Sequence, residues 1–259
     1  MDQESETNAE NAKQIASIED LLGVVDPLTA DGHEVWYRGH RDATWQLTPS
    51  AFRDDSHRKN EQAMIDRFRQ QAAVSGLGHS FDDWGWITFA QHHAVPTRLL
   101  DWTESPLIAL FFACENNPGS TDVDAEFITL DPCALNKEAG DGGAGSPLLL
   151  RDSATELDGY RPGEDVGIGG LPRAVIAPMV FDRIRFQGGC FTIQQSRNPT
   201  AGEEQLRQAK STQSFIVPAT AKRRLRDQLD ALGFNEVSVY RDLDRIARRI
   251  KDGHGRGNK

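Results

Sequence analysis

The sequence predicts a single-domain α+β fold, with a mixed or antiparallel sheet flanked by helices. Segments with helical and strand-like patterns do not alternate regularly, which favours this class over a doubly wound parallel sheet. The 259 residues can bury a substantial core, and the apolar content of 38% is typical of a globular protein. No apolar run approaches the roughly 20 residues of a membrane-spanning helix, so we expect no contact with a membrane.

The elements of the first half follow from apolar periodicity and capping residues. Residues 1–12 are acidic and polar and are expected to form a disordered tail, because they carry little to bury. Met64, Ile65 and Phe68 illustrate the three- and four-residue spacing of a helix, and Ser105 before Pro106 is typical of a helix start. The predicted elements are helices over residues 12–22, 60–75, 81–93 and 106–116, extended segments over 34–39 and 97–101, and a structured loop over 47–52.

The second half contains a change in composition. Nine of the 31 residues from 140 to 170 are glycine, and we expect a flexible excursion over residues 137–172. The run from Gly140 to Gly145 carries no Lys, so it does not resemble a P-loop. Thr220 is expected to cap a helix that Gly233 ends. The other predictions are strands over residues 125–130, 174–178, 183–187, 190–194 and 214–217, a helix over 243–251 and a flexible tail over 253–259.

Charge and cysteine content narrow the classes of function. The net charge of -10 argues against unspecific binding to nucleic acid. From residue 219 to 259, however, eleven Lys/Arg face six Asp/Glu. These basic helices are either solvated faces or a contact surface for a nucleic-acid or protein target. The first residues do not resemble a secretory signal and the three cysteines form no metal-ligand spacing, so we expect a cytoplasmic protein.

A dense polar cluster precedes a strongly apolar run at Leu107 to Cys114. Such a cluster is either a site held rigidly against a buried element or the polar lead-in of a capped core helix. His92 and His93 are neighbours on a predicted helix and cannot face one metal ion together, so no metal is expected. One histidine is interpreted as an acid–base group and the other as packing. Arg98 and Asp101 could bind a ligand or pair with each other.

Two further positions are compatible with an anionic ligand. Arg38 lies on a predicted strand, where its planar donor fork suits phosphate or carboxylate, and Gly39 would let a ligand approach the backbone. An exposed edge-strand arginine is the alternative. Thr103 and Ser105 lie at a predicted helix start, where unpaired backbone N–H groups favour an anion, although capping alone would explain both.

Three motifs resemble the FRG domain family. They are Trp36-Tyr37-Arg38-Gly39, the run from Gln91 to Thr103 that reads QHHAVPTRLLDWT, and the run from Phe186 to Ile193. The resemblance extends from about residue 18 to 250, which places an FRG-like domain at residues 13–252. It implies a protein of the kind that occurs in bacteria and phages, often near defence or mobile genes.

The order of elements is also similar to that of ADP-ribosyltransferases, which implies NAD as cofactor. In this likeness Arg38 holds the phosphates or ribose, Thr103 supports the nicotinamide side, and Gln187 stands where those enzymes carry a catalytic glutamate. Because glutamine is neutral, Asp101 or a histidine would have to supply the charge. The alternative is a non-catalytic module that recognises a phosphorylated ligand, a nucleic acid or a protein partner.

The residues that we expect in the site fall into two groups. The candidate catalytic residues are His92, His93, Asp101 and Gln187. The candidate ligand-binding residues are Tyr37, Arg38, Gly39, Gln91, Thr97, Arg98, Trp102, Thr103 and Ser105.

Overall fold

The computed structural model describes residues 14–75, 81–115, 122–140, 145–163, 171–178, 189–195 and 199–240. These residues form two sheets flanked by helices, which confirms the predicted α+β fold. The helices are α1 (Ile18–Thr29), α2 (Asp55–Ala72), α3 (Asp83–His92), α4 (Pro106–Ala113), α5 (Pro132–Glu138), α6 (Pro199–Gln208), α7 (Ala219–Ala231) and α8 (Glu236–Tyr240). The strands are β1 (Trp36–His40), β2 (Leu99–Trp102), β3 (Ala125–Leu130), β4 (Leu148–Leu149), β5 (Arg173–Ile176), β6 (Cys190–Ile193) and β7 (Thr212–Val217). Short 3-10 turns cover Ser50–Phe52, Ala73–Ser75 and Thr155–Tyr160.

The two sheets are joined at one backbone bridge. The first has the order β1-β3-β7 with antiparallel neighbours, and the second has the order β2-β6-β5-β4, in which only the β4–β5 pairing is parallel among the described strands. Tyr37 on β1 pairs with Thr103, which follows β2. Their N–H groups donate to each other's carbonyl oxygens over 2.7 and 2.9 Å. This bridge brings the ends of the two sheets together.

Helix α4 lies in the core against β1. Ser105 caps it and Pro106 occupies its first turn, as the sequence predicts. Ala109, Leu110 and Ala113 are fully buried and pack with β1, β3, β7 and α7 in one apolar cluster. Burial on nearly every side explains why this short helix carries almost no polar residue.

The first helix begins later than predicted. Ser17 is the N-cap, since its hydroxyl accepts from the Asp20 N–H, and the helix extends to Thr29. Ile15 is fully buried but not helical, because its N–H donates to the carbonyl oxygen of Ile216 on β7. Its apolar side chain therefore marks a strand contact, and the spacing of Ile15 and Ile18 misled the prediction.

The glycine-rich segment contains short secondary-structure elements where it is described. Residues 145–163 contain β4 and a 3-10 turn, and Leu150, Leu157 and Tyr160 are buried in a second apolar cluster. Residues 145–163 of the predicted excursion thus contain regular structure and pack against the core. Residues 141–144 and 164–170 lie outside the described part of the chain.

The C-terminal elements differ from the prediction in several details. Pro218, not Thr220, occupies the N-cap of α7, and no side chain caps it. Leu225 and Leu229 are fully buried, whereas Leu232 lies past the helix end and is 55% exposed. The sequence did not predict α5, α6 or α8. The predicted strand over residues 183–187 and the predicted helix over 243–251 fall outside the described residues.

Across the described ranges, no helix combines the length and the apolar character that crossing a bilayer requires.

Candidate functional site

A cavity of about 350 Å³ lies where the two sheets meet, and all three sequence motifs contribute to it. Its walls come from β1, α3, the end of β2, α4, the start of β6 and α8. The described residues that line it are Tyr37, Arg38, Gly39, Arg41, Trp45, Thr88, Gln91, His92, Asp101, Trp102, Thr103, Ala109, Phe112, Glu115, Gly189, Cys190, Phe191 and Tyr240. Segments that are far apart in the chain thus share one concave, partly aromatic surface, which is the usual form of a ligand site.

Arg38 lies in the cavity wall with its guanidinium held on two sides. Its Nε donates to Nε2 of His40 over 2.9 Å, and its Nη1 donates to the main-chain oxygen of Asp101. Burial lowers the pKa of Arg38 to about 10, although the Asp101 carboxylate acts in the opposite direction. The guanidinium therefore stays charged at neutral pH and is fixed in one orientation, as recognition of an anion requires.

The Asp101 carboxylate is held by a short chain of side chains. Nε2 of Gln91 donates to Oδ2 of Asp101 over 2.8 Å. The Thr97 hydroxyl donates to Oε1 of Gln91 over 2.6 Å, which fixes the orientation of the amide. Asp101 is the exposed residue of β2, so its carboxylate faces the cavity. Thr97 is fully buried and does not line the cavity, and it supports Gln91 from behind.

The two adjacent histidines have different surroundings. His92 lines the cavity. His93 lies outside it, and its ring packs against Phe89 and Phe68 with centroid distances of 4.7 and 5.7 Å. The geometry therefore offers one of them, His92, as an acid–base group. It leaves His93 out of the candidate catalytic set, because packing against the aromatic rings turns it away.

The strand-to-helix junction contributes an aromatic wall. Trp102 is buried against the cavity, and its Nε1 donates to the Thr192 hydroxyl over 3.1 Å. Thr103 also lines the cavity, and its hydroxyl accepts from the Ser105 N–H over 3.1 Å. Ser105 itself does not reach the cavity, since its hydroxyl accepts from Ile108 N–H at the start of α4. Capping therefore accounts for Ser105, which we remove from the ligand-binding set.

Gly39 has a structural role that differs from the predicted one. A Cβ at this position would clash with the Ala109 carbonyl oxygen and would lie 2.6 Å from the Ala113 nitrogen. Because Gly39 has no side chain, α4 packs directly on β1. The glycine therefore allows the close approach of a helix, whereas the sequence predicted the close approach of a ligand. Tyr37 beside it is 2% exposed, and its ring lies 5.7 Å from that of Phe127. Burial raises the pKa of the Tyr37 hydroxyl.

Arg98 does not belong to the cavity. It is 1% exposed, and its Nε and Nη2 donate to the equally buried carboxylate of Glu61, with a shortest distance of 2.6 Å. Its Nη1 donates to the Tyr160 carbonyl oxygen. The prediction that Arg98 binds a ligand is wrong, as is the alternative that it pairs with Asp101. The reason is that the guanidinium N–H groups of Arg98 already donate to the Glu61 carboxylate on α2.

The third motif reaches the cavity through Gly189, Cys190 and Phe191. Gln187, the candidate for the position of a catalytic glutamate, lies outside the described residues. Cys190 is not suited to act as a nucleophile, because burial raises the pKa of its thiol far above the usual range and the nearby Glu104 adds to the effect. Burial likewise raises the pKa of Cys114 to about 12, consistent with its predicted role as a core residue.

The sequence did not identify one end of the cavity. Arg41 donates to Oε2 of Glu115 over 3.2 Å, and the Tyr240 hydroxyl donates to Oε1 over 2.6 Å. The Arg41 guanidinium lies 5.0 Å from the ring centroid of Trp45, which is 42% exposed. Phe112 completes this aromatic end. A tryptophan six residues after the Tyr-Arg-Gly motif was the available signal, but no local pattern links it to Glu115 or Tyr240.

The basic C-terminal region is partly structural. Lys222 is 3% exposed, and its Nζ donates to the Arg41 carbonyl oxygen over 2.6 Å. Arg226 donates to the Cys114 carbonyl oxygen. Arg223 and Arg224 are exposed on α7 and remain available for a polyanion, while residues 241–251 lie outside the described part. Within the described ranges, no three His, Cys, Asp or Glu side chains are grouped so that they could hold a metal ion.

Comparison with known protein families identifies an FRG domain over residues 33–122. The matched region contains the first two motifs, with Arg38, Gln91, His92 and Asp101, and this confirms the resemblance predicted from those motifs. No curated protein matches the chain. No solved structure matches it either.

Proposed function

We propose that this FRG-domain protein binds a nucleotide in the cavity and acts on NAD with chemistry similar to that of ADP-ribosyltransferases. One observation carries the proposal. A fixed guanidinium from Arg38 and a fixed carboxylate from Asp101 lie together in one aromatic-lined cavity, joined by the hydrogen bond from Arg38 to the Asp101 backbone. The guanidinium would bind the phosphates of NAD, the aromatic side chains would contact a base, and the carboxylate would stabilise the positive charge that develops during the reaction.

The cavity residues divide between these features. The planar donor fork of Arg38 suits a phosphate or the ribose next to it. Trp45, which is 42% exposed, and the partly buried Phe112 offer rings against which a base or nicotinamide can stack. A volume of about 350 Å³ is near the lower end for small-molecule sites. We therefore expect the cavity to enclose one nucleoside and to leave the rest of the dinucleotide at its mouth.

The reaction would break the bond between ribose C1′ and the nicotinamide nitrogen. The electron pair of that bond leaves with nicotinamide, which becomes neutral, and positive charge develops at C1′. The Asp101 carboxylate would stabilise this charge electrostatically. An O–H or N–H group of the acceptor then bonds to C1′, and its proton passes to His92 or to Asp101. The acceptor would be water or a target macromolecule, and the exposed basic residues of α7 are its first candidate contact.

A second function, binding without turnover, is favoured by a different observation. One oxygen of the Asp101 carboxylate already accepts from Gln91, and two donors of Arg38 are engaged within the protein. Such a prearranged site suits recognition of a phosphorylated ligand by a sensor module. A role in conflict between bacteria and phages would be compatible with either function.

Nicotinamide release separates the two proposals. The unsubstituted protein, Arg38→Ala and Asp101→Asn are incubated with NAD labelled in the nicotinamide ring, with protein and nucleic-acid targets supplied. We expect release by the unsubstituted protein and a loss of at least about 100-fold in both variants. His33→Ala, at an exposed position away from the cavity, serves as the control. Binding of ADP-ribose without any release would support the sensor, and neither binding nor release would refute both.

A further inference from the structure

A buried histidine lies directly behind the ligand-facing arginine. His40 is 2% exposed and follows Arg38 by two positions on β1, so both side chains lie on the same face of the strand. Nε of Arg38 donates to Nε2 of His40 over 2.9 Å. Because an arginine only donates, Nε2 must be the unprotonated nitrogen and the imidazole proton must be on Nδ1.

Two charged residues continue the contact through the sheet. Glu126 lies opposite His40 in the β1–β3 register, with its Oε2 3.4 Å from Nδ1 of His40. Arg207 on α6 donates to both oxygens of Glu126, over 2.8 and 3.2 Å. Burial opposes the ionised form of Glu126, but the nearby His40 and the hydrogen bonds from Arg207 outweigh it and hold the pKa of this carboxyl well below the usual range. The carboxylate is thus ionised and lies beside Nδ1 of the imidazole, although Nδ1 forms no hydrogen bond with it.

The same arginine also reaches the rim of the cavity. Nη2 of Arg207 donates to the Trp45 carbonyl oxygen over 2.6 Å, while its Nε donates to Glu203 on its own helix. One connected set of contacts therefore ends at Arg38 on one side and at the Trp45 backbone on the other. None of its three inner members, His40, Glu126 and Arg207, lines the cavity.

We infer that His40 is a positioning residue for Arg38, and that the neutral imidazole, backed by the Glu126–Arg207 pair, holds the guanidinium toward the ligand. The part of this inference that concerns a ligand rests on the proposed function. Burial lowers the pKa of His40 to about 4, partly opposed by the neighbouring Glu126 carboxylate, so the acceptor at Nε2 persists at neutral pH. The charged groups that act on His40 are Arg38 from β1, Glu126 from β3 and Arg207 from α6, together with the exposed Asp42.

A purely structural role for His40 predicts a different result from a positioning role. If His40 only stabilised the fold, its loss would lower stability and would add to the effect of losing Arg38. If it acts through Arg38, its loss has no further effect on binding once Arg38 is gone, because coupled residues are not additive. A double-mutant cycle on ligand affinity therefore distinguishes the two.

The first test needs no ligand. Nitrogen-15 NMR of the unsubstituted protein at pH 7 reports the protonation of each ring nitrogen of His40 and the Nε–H resonance of Arg38. We expect the Nδ1–H tautomer, and a shift of the Arg38 resonance in His40→Ala that is largely reversed in His40→Gln, whose amide oxygen can replace Nε2. An Nε2–H tautomer or a doubly protonated ring at pH 7 would overturn the inference.

The second test uses ADP-ribose as the probe in titration calorimetry. We expect His40→Ala to bind about tenfold or more weakly, His40→Gln to stay within about threefold of the unsubstituted protein, and His33→Ala to bind normally. Arg38→Ala with and without His40→Ala should bind equally weakly. Additive losses would overturn the positioning role. If the unsubstituted protein binds no ADP-ribose, the proposed function fails, and the NMR result still decides the role of His40.

Discussion

The buried ion pair between Arg98 and Glu61 gives the sharpest test of how this fold is held together. Both side chains are 2% exposed, and Glu61 accepts from the backbone N–H of Arg98 as well as from its guanidinium. Arg98→Ala would leave a buried carboxylate without its counter-charge. Removing one partner of such a pair costs about 3–5 kcal/mol. We expect the free energy of unfolding to fall by that amount in urea denaturation at pH 7.

The same change should be visible by heating. For a chain of this size, about 1 kcal/mol corresponds to roughly 2–4 °C in Tm, so Arg98→Ala should unfold roughly 6–20 °C lower. Replacing both partners should restore much of the loss, because the cost comes mainly from the unpaired charge. The double variant Arg98→Met with Glu61→Leu is therefore expected to be more stable than Arg98→Ala alone.

Arg67 supplies the matched control. It is an exposed arginine on α2, the helix that carries Glu61, and its Nη1 donates to Gln70. Arg67→Ala should change the unfolding free energy by less than about 0.5 kcal/mol. The reasoning is refuted if Arg98→Ala costs less than about 1 kcal/mol, or if the double variant is less stable than the single one.

Three further predictions follow from the packing, the buried histidine and the cavity rim. Gly39→Ala should lower the free energy of unfolding by about 3 kcal/mol, because the new methyl group meets the Ala109 carbonyl oxygen. The control Gly23→Ala lies on a helix with open space around it and should be neutral or stabilising by up to about 1 kcal/mol. Urea denaturation measures both variants. Burial lowers the pKa of His40 from 6.5 to about 4, so the folded state disfavours the protonated ring and the contribution to stability is complete above pH 6.5. The free energy of unfolding should therefore fall by about 3 kcal/mol as the pH falls from 6.5 through 4. If the stability of a His40→Gln variant showed the same pH dependence, His40 would not be its cause. Trp45→Ala should weaken ADP-ribose binding about tenfold by removing a stacking surface while Tm changes little, and unchanged affinity in calorimetry would exclude Trp45 from the site.

The sequence was sufficient where the fold depends on local pattern. The spacing around Ser105 and Pro106 predicted the start of α4, and the alternation around Trp36 predicted β1. For the polar cluster from Gln91 to Thr103 the sequence left two interpretations open, a site or the polar lead-in of a core helix, and the structure places most of its polar members in the cavity wall. These features are readable because each depends on residues within a few positions of one another.

The sequence was insufficient where a role depends on a distant partner. In the sequence, Arg98 and Arg38 look alike as charged residues in predicted extended segments. Only the fold shows that Glu61 occupies the donors of Arg98 while Arg38 faces the cavity. The pairing of Arg41 with Glu115 spans more than seventy positions, and no periodicity signals it. Ile15 was misassigned for the same reason, since its neighbour on β7 is about two hundred residues away.

The backbone bridge between Tyr37 and Thr103 joins the two sheets, and the cavity lies at this junction. A ligand that contacts both Arg38 on β1 and Asp101 on β2 would link the two sheets, and would stabilise the arrangement in which they are joined. The amide protons of the bridging residues should then exchange with solvent more slowly when the cavity is filled. Occupancy could thus be followed from the backbone itself, even for a compound whose chemistry leaves no product to detect.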